Sequence, residues 1–499
     1  MRTTLSILLL TLVAGFIGCA PEADEGMVLM PEDSPFVAFR VWIKAGSQND
    51  PAGKEGLAVL TANMLSDGST QTHTYDQILE ILYPMATGYG ASVDKEMTVF
   101  EGTVHKDNLD AFYALFKDAI LAPAWNEEDF ARLMSQMKNF VERTRRFSSD
   151  EELGKELLFR EIYRGTPYEA PEEGYVASVD TLTLDDAKEF YNTYYTKDNI
   201  VIAVGGGYPE GFAEKVKEDF AVLAEGVPEP VAAPELAAFE GLHFLLIQKD
   251  APTTAISFGF PFGLKRSDPD FYEMLLVNSW LGEHRNSSSH LYQFIREARG
   301  MNYGDYSYIE AWPGGSRSSM PPANVARRDQ IFQIWIRPVR NHEALFAFRA
   351  AMHELKKMVD NGLTQEQFEL TKNFLHNYTV NYGTTISNRI GYALDDIFYG
   401  MPDPGYLASI RPELDKLTLE GVNAAIKKHL QYDNMWVVFI TNDAEGLKKM
   451  IVNDEPSPKA YSEPTPQEVL DEDKLVEVYP LNVPEENVVI VNINEVFEK

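Results

Sequence analysis

The sequence repeats itself, and this repeat limits the chain to a fold built from two similar halves. Residues 182–185 (LTLD) lead through a helix-like stretch to an Asp-Asn turn and an apolar segment that ends at residue 202. Residues 417–420 (LTLE) lead through a second such stretch to another Asp-Asn turn and an apolar segment that ends at residue 437. A fixed order of helix, turn and strand signals predicts the same supersecondary unit in both places.

A second pair of segments repeats in the same order and at nearly the same spacing. Residues 126–130 (NEEDF) and 364–368 (TQEQF) each open an amphipathic pattern, and the latter has the form of a capping box. Thr183 and Thr418 stand where the N-caps of the other helix pair belong. Two matches in one order favour an internal duplication over chance.

The composition between the two copies indicates the domain boundaries. Proline and alanine dominate residues 226–241, which we interpret as a linker between an N-terminal half at 36–225 and a C-terminal half at 242–455. Strands mixed with long helices favour an α+β class over a doubly wound sheet. A proline-rich, acidic tail follows at 456–499, and its residues 487–493 could dock as an edge strand.

The first residues have the form of a bacterial lipoprotein signal peptide over residues 1–18. Its apolar run is too short to span a bilayer, and it ends at Cys19, the only cysteine of the chain. A single cysteine placed there predicts lipid attachment rather than a disulfide; a cleaved secretion signal with an incidental cysteine is the alternative. Ala20 at the next position implies that the lipoprotein is sorted to the outer membrane, where it faces the periplasm. Residues 19–35 are expected to form the lipid anchor and a flexible acidic tether.

The charge of the chain argues against nucleic acid as a partner. The formal net charge is −32, whereas phosphate contacts need clustered lysine and arginine. A surplus of acid keeps a protein in solution and at most favours basic ligands. No later segment approaches the roughly 20 apolar residues of a membrane helix, so contact with the membrane is expected only through the lipid anchor.

Three short segments carry a resemblance to a known family. Residues 44–47 (KAGS), 56–58 (GLA) and 64–69 (MLSDGS) resemble the insulinase and mitochondrial-processing-peptidase family of zinc peptidases. Active members carry H-x-x-E-H between the last two segments, where two histidines on one helical face bind zinc and the glutamate activates water. The resemblance covers about residues 36–455. It implies two homologous halves, each a mixed β-sheet covered by helices, arranged as a clamshell.

The metal segment of this chain has kept its helix and lost its ligands. Here the positions of the motif are taken by Val59, Ala62 and Asn63. The first two have no donor atom and the third offers a neutral amide, whereas catalytic zinc needs three ligands from imidazole, thiolate or carboxylate. Glu142 lies near the position of the family's distal glutamate, but one carboxylate cannot hold the ion. We therefore expect no metal or other cofactor bound by this chain.

The histidines elsewhere do not predict a replacement site. The closest pair, His284 and His290, is separated by residues that indicate a loop rather than one turn of a helix. An autonomous zinc metalloendopeptidase with an atypical site therefore stays an alternative with little support from the sequence.

The second half has kept another part of the family's chemistry. Residues 291–303 resemble the segment in which an arginine is followed seven residues later by a tyrosine, and the match assigns Arg296 and Tyr303. In active relatives this pair reaches the scissile carbonyl, for which guanidinium and phenol donors are suited. We expect a helix that ends at Gly300 and then a strand that carries the tyrosine. A charge at a helix end and a packing tyrosine are the structural alternatives, and Arg299 lies off the matched position.

The lost ligands and the kept pair together predict the role. Some relatives divide the work, with zinc on one subunit and the arginine and tyrosine on a degenerate partner. We therefore expect a non-catalytic subunit of a heterodimeric periplasmic zinc metallopeptidase, inactive alone, whose partners are a homologous zinc-bearing subunit and peptide substrates. A peptide-binding scaffold without a role in catalysis is the alternative from another class.

Overall fold

A computed structural model describes residues 22–24, 26–313 and 319–499. The predicted signal peptide and Cys19 lie outside the described residues. None of the helices that the structure describes combines the length and the apolar content needed to cross a bilayer.

Six strands form the sheet of the first half. They are β1 (Glu22–Asp24), β2 (Met27–Pro31), β3 (Phe36–Ile43), β4 (Tyr89–Val93), β5 (Thr98–His105) and β6 (Ile200–Gly206). Their order across the sheet is β1-β2-β6-β3-β5-β4. The pairing of β2 with β6 is parallel, and β3 is antiparallel to both β6 and β5, which makes the sheet mixed.

The second sheet has the same topology. Its strands are β7 (Leu242–Gln248), β8 (Thr253–Phe262), β9 (Asp305–Tyr308), β10 (Gln330–Arg340), β11 (Met435–Thr441) and β12 (Val488–Asn492). The order β12-β7-β11-β8-β10-β9 matches the first sheet strand for strand from β7 to β9, with β7 parallel to β11. The predicted α+β fold of two homologous halves, each with a mixed sheet covered by helices, is confirmed.

Seventeen α-helical segments cover the two sheets among the described residues. Those of the first half are α1 (Leu57–Ser66), α2 (Tyr75–Leu82), α3 (Leu109–Leu121), α4 (Glu127–Asn139), α5 (Arg145–Phe147), α6 (Asp150–Ile162), α7 (Val176–Val179), α8 (Leu184–Tyr194) and α9 (Phe212–Phe220). Those of the second are α10 (Phe271–Gly282), α11 (Ala344–Asn361), α12 (Gln365–Tyr378), α13 (Ile386–Tyr399), α14 (Tyr406–Lys416), α15 (Leu419–His429), α16 (Ala444–Val452) and α17 (Gln467–Val476).

The repeated helix starts are present as the sequence predicts. The hydroxyl of Thr183 accepts the backbone N–H of Asp186 at the start of α8, and Thr418 accepts that of Gly421 at the start of α15. Thr364 forms a full capping box with Gln367. Each cap satisfies a backbone donor that the first helical turn leaves open, which stabilises a helix by about 1 kcal/mol.

Each half contributes one helix to cover the sheet of the other half. One face of the second sheet is covered by α6, whose Leu153, Leu157 and Leu158 pack with Ile247 and Ile440 in one buried cluster. Conversely, α13 of the second half covers one face of the first sheet. The boundary predicted at the linker therefore divides the sequence, while each sheet takes one of its two covering layers from the other half.

The approach of α13 to the first sheet is close enough to need a glycine. A Cβ built at Gly205 of β6 would lie 2.5 Å from a side-chain atom of Ile386 and 2.8 Å from one of Ile390. Ile390 and Leu394 pack there with Trp42 in a buried cluster. A Cβ at this position would force the isoleucine side chains, or the helix that carries them, to move.

Residues at the two ends of the chain join the sheets. The prediction of a flexible tether over residues 19–35 is wrong for Met27–Pro31, which pairs along β6 as β2 and contributes a buried Val28. The strand satisfies backbone groups of β6 that would otherwise face an open sheet edge. The predicted edge strand near the C-terminus is confirmed, because β12 pairs in parallel with β7.

The halves differ most in one connection. Residues 94–97 join β4 to β5 in the first half, whereas residues 309–329 join β9 to β10 in the second. The longer loop is held against the first half by polar contacts of its C-terminal end. Arg327 pairs with Asp94 through two contacts of 2.6 and 2.9 Å, and Arg328 pairs with Glu96.

Candidate functional site

The helix that carries the degenerate metal positions is well anchored. The carboxylate of Asp50 accepts the backbone N–H groups of Gly56 and Ala58, at 2.7 and 2.8 Å, and so caps the start of α1. The helix then packs against α8, β4 and α4. The segment is therefore an intact helix, as expected from the sequence.

The three positions on α1 offer no metal ligands. Val59 and Asn63 lie one turn apart on a partly exposed face, and Ala62 is buried. Glu142 follows α4 in a π-helical segment (Phe140–Thr144), where its carboxylate lies 3.8 Å from the ammonium of Lys138. A catalytic zinc needs three donor groups, and this set supplies one carboxylate already paired with a cation. The residues present do not fit the ion.

One other cluster in the described part of the chain brings three groups of ligand type together. His353, Glu354 and Glu472 lie within metal-binding distance of one another, and His290 joins them through a 2.6 Å contact with Glu354. However, the ammonium of Lys357 contacts Glu354 at 2.9 Å and Glu472 at 3.2 Å. A lysine cation therefore occupies the place that a metal cation would take, and we interpret the cluster as an ion-pair network.

The same network explains Arg299. Its side chain is 1% exposed and donates to Asp473 at 2.8 Å and to Glu472 at 3.1 Å, both on α17. Its guanidinium also lies over the ring of Phe294. Arg299 thus ties the segment before β9 to the C-terminal tail, which is a structural task.

Arg296 and Tyr303 differ from Arg299 in being accessible. Arg296 lies on a π-helical segment (Tyr292–Glu297), its side chain is 35% exposed, and it pairs with the adjacent Glu297 at 2.6 Å. Tyr303 is 77% exposed. Two details of the prediction are wrong: the helix is a π-helical turn over most of its length, and β9 begins at Asp305, two residues after Tyr303.

Hydrogen bonds of Asn302 hold the turn that carries Tyr303 in place. Asn302 donates to Asp305 at 2.7 Å and to the carbonyl of Arg337 at 3.1 Å, and its own carbonyl oxygen accepts the N–H of Gly304. Asp305 is fully buried, and burial raises its pKa well above the usual range. Asp305 is thus a buried acceptor that helps to hold the turn carrying Tyr303 in place.

The described contacts do not bring the predicted residues into one cluster. Arg296 contacts Glu297 and the ring of Tyr292 within its own segment, while Val59 packs on the core of the first half. The structure instead contains a cavity of about 530 Å³ between the halves, lined by neither group. Its walls include α6 and β10. No pattern in the sequence predicts this cavity, because its lining residues come from distant segments that meet only through the exchange of helices.

Comparison with known proteins places both halves in one family. The family profile described as Insulinase (Peptidase family M16) matches residues 27–174, and the profile described as Peptidase M16 inactive domain matches residues 181–375. The chain belongs to the M16 peptidase family. The first profile lies within the first half, and the second begins just before α8 of the first half and ends within α12 of the second.

Individual relatives agree with this assignment. A Helicobacter pylori protein named non-peptidase homolog YmxG is 21% identical over 435 residues, covering 85% of this chain and 92% of the relative. A Bacillus subtilis protein named uncharacterized zinc protease YmxG is 24% identical over 58% of this chain and 69% of its own length. An Arabidopsis thaliana protein, named as a probable mitochondrial-processing peptidase subunit beta, is 24% identical over 48% of this chain and 45% of its own.

A solved structure supports the fold. The crystal structure of a peptidase M16 inactive domain from Pseudomonas fluorescens superposes with a TM-score of 0.71 at 23% identity, covering 83% of this chain and 95% of that one. Together with the absence of imidazole, thiolate and carboxylate groups at Val59, Ala62 and Asn63 on α1, these findings support a catalytically inactive member of the M16 family.

Proposed function

We propose that this M16 protein is the non-catalytic subunit of a heterodimeric zinc peptidase of the bacterial cell envelope. Attached to the outer membrane through Cys19 and facing the periplasm, it binds peptide together with a homologous partner that carries the zinc. It contributes Arg296 and Tyr303 to the bound peptide. The observation that carries the proposal is the 77% exposure of Tyr303 on a turn whose neighbours are buried and hydrogen-bonded.

The exposure of Tyr303 has no packing explanation. A large aromatic side chain on a well-ordered turn is usually covered, since burying it stabilises a protein by about 1.5–3 kcal/mol. Here Asn302 and Asp305 fix the backbone on either side while the phenol points away from the core. A rigid support beneath an exposed donor is the arrangement expected of a residue that contacts a ligand or a partner.

Arg296 supports the same interpretation. Its Nε is buried without a hydrogen-bond partner, so the guanidinium has donor capacity to spare. The π-helical turn that carries it is a rare element that occurs frequently at functional sites. A guanidinium and a phenol are both hydrogen-bond donors, which suit a substrate carbonyl oxygen.

The test uses a partner that carries an intact H-x-x-E-H motif. Peptide hydrolysis by the partner is measured alone, with this protein, and with its Arg296→Ala and Tyr303→Phe variants. We expect hydrolysis only with both proteins, and a loss of about 10²-fold or more in kcat for each variant, as for the removal of one donor to a developing oxyanion.

Two variants serve as matched controls. Tyr83→Phe alters a tyrosine that is 88% exposed elsewhere, and Arg340→Ala alters an arginine whose side chain is 73% exposed. Both are expected to leave hydrolysis unchanged. If the partner alone is fully active and the addition of this protein changes nothing, the proposal fails. If hydrolysis needs this protein but tolerates both site variants, a scaffold role replaces the catalytic one.

A further inference from the structure

The cavity between the halves has the size and the walls of a small-molecule site. Its volume of about 530 Å³ falls in the range of roughly 300–1,000 Å³ that is typical of ligand pockets. Phe140, Phe159, Trp312 and Trp335 supply aromatic surface. Neither half forms it alone, because α6 and β10 meet there only through the exchange of helices.

The charges that line the cavity do not balance. It is lined by six carboxylates and four cations: Asp94, Glu152, Glu156, Glu169, Glu172 and Glu173 against Lys95, Arg145, Lys155 and Arg327. Lys499, from outside the lining, pairs with Glu169 at 2.7 Å. Arg145 alone must serve both Glu156 and Glu173. The cavity is therefore short of one cation, and the deficit falls at Glu156.

Glu156 has an oxygen with no partner. The guanidinium of Arg145 lies 3.2 Å from its Oε2, whereas Oε1 is buried and makes no hydrogen bond. Burial raises the pKa of Glu156 to about 7. A buried acceptor without a donor costs free energy that a ligand donor would recover.

Trp312, which lines the same cavity, carries a hydrogen-bond donor without an acceptor. The residue is 8% exposed, and its indole Nε1 has no hydrogen-bond acceptor. A buried indole N–H normally finds a partner. Two residues that line the cavity thus carry unpaired groups, an acceptor on Glu156 and a donor on Trp312.

We propose that this cavity binds an organic primary ammonium with a neighbouring carbonyl group, of the kind found in a free amino-acid amide and at the amino terminus of a peptide. The ammonium group donates to Oε1 of Glu156, and the carbonyl oxygen accepts from Nε1 of Trp312. The aromatic walls take an apolar side chain. The site is separate from Arg296 and Tyr303, neither of which lines the cavity.

Binding is measured by titration calorimetry on the full chain with matched probes. Leucinamide carries both groups, N-acetylleucinamide lacks the ammonium, and isoamylamine lacks the carbonyl. We expect leucinamide to bind at least tenfold more tightly than N-acetylleucinamide and severalfold more tightly than isoamylamine. Leu-Ala-Ala amide, with and without an acetylated amino terminus, distinguishes the sources: binding of the free form favours a peptide end, and its exclusion favours a free amino-acid derivative.

Three variants test the assigned atoms. Glu156→Gln is expected to weaken the binding of leucinamide at least tenfold. Glu169→Gln removes the same charge from the same cavity, but both oxygens of Glu169 already accept hydrogen bonds. We expect this control variant to bind leucinamide with an affinity within about twofold of the wild type. Trp312→Phe is expected to weaken the binding of leucinamide and to leave the binding of isoamylamine unchanged. This variant tests the proposal even if Glu156→Gln fails to fold.

Two results would overturn the proposal. One is that leucinamide and its acetylated form bind equally, or that neither binds. The other is that folded Glu156→Gln protein, judged by an unchanged thermal transition, binds leucinamide as the wild type does. Arg296→Ala and Tyr303→Phe are expected to keep full binding, so the failure of the proposed peptidase role leaves this result unaffected.

Discussion

The ion pair between Arg327 and Asp94 holds the long β9–β10 connection of the second half against the first half. Both side chains are 8% exposed, and the guanidinium meets the carboxylate through Nε at 2.6 Å and Nη2 at 2.9 Å. In the variant Arg327→Met the aliphatic volume stays, but Asp94 keeps only the N–H of Lys95 as a close donor to its carboxylate. Removing one partner of a buried pair costs about 3–5 kcal/mol, because the remaining charge is left without compensation.

The expected loss is measurable by urea unfolding followed through tryptophan fluorescence. Arg340→Met is the matched control: its side chain is 73% exposed and lies 4.0 Å from Glu343, so we expect a change below about 1 kcal/mol. Combining Arg327→Met with Asp94→Asn removes the orphaned charge, and the double variant is expected to recover about 1–3 kcal/mol. A loss below 1 kcal/mol for Arg327→Met, equal to that of the control, would refute the reasoning.

Three further outcomes are expected. Thr364→Ala removes the side-chain acceptor of the capping box on α12 and should lower the free energy of unfolding by about 1 kcal/mol in urea titrations, while a Thr364→Ser variant should lose much less. Val59→His with Asn63→His places two imidazoles one turn apart on a partly exposed helical face, so calorimetry should detect zinc binding that neither single variant shows; peptide hydrolysis should stay absent because a third ligand is missing. Burial raises the pKa of Glu283 from 4.5 to about 7, so the folded state holds this proton more tightly than the unfolded chain. That contribution, about 3 kcal/mol at most, is complete below pH 4.5 and is lost as the pH rises through 7, and Glu283→Gln should flatten the dependence in unfolding measured from pH 5 to 8.

Local signals in the sequence predicted local structure well. The N-caps Thr183, Thr364 and Thr418 lie where the sequence indicates, since capping acts within a few residues. Arg299, which lies off the position matched to Arg296, is buried and pairs with α17.

What the sequence did not predict depends on contacts between distant segments. The strand at Met27–Pro31 follows an acidic stretch and exists because β6 offers it an open edge. Helix α6 packs on the second sheet, and the cavity lies beside it. Both features depend on packing between the two halves, which no pattern within a single segment predicts. The π-helical geometry at Arg296 likewise has no signature in a short apolar run.

The exchange of α6 and α13 has a consequence for the order in which the chain is made. The strands of the first sheet have all left the ribosome once residue 206 has emerged, but the helix that covers one of its faces ends only at residue 399. At about 5–20 residues per second, the surface formed by Ala38, Trp42, Val201 and Ala203 waits uncovered for roughly 10–40 s. Until α13 docks, this apolar face is open to non-native contacts, and a chain that stops in the linker at residues 226–241 lacks the helix that covers it.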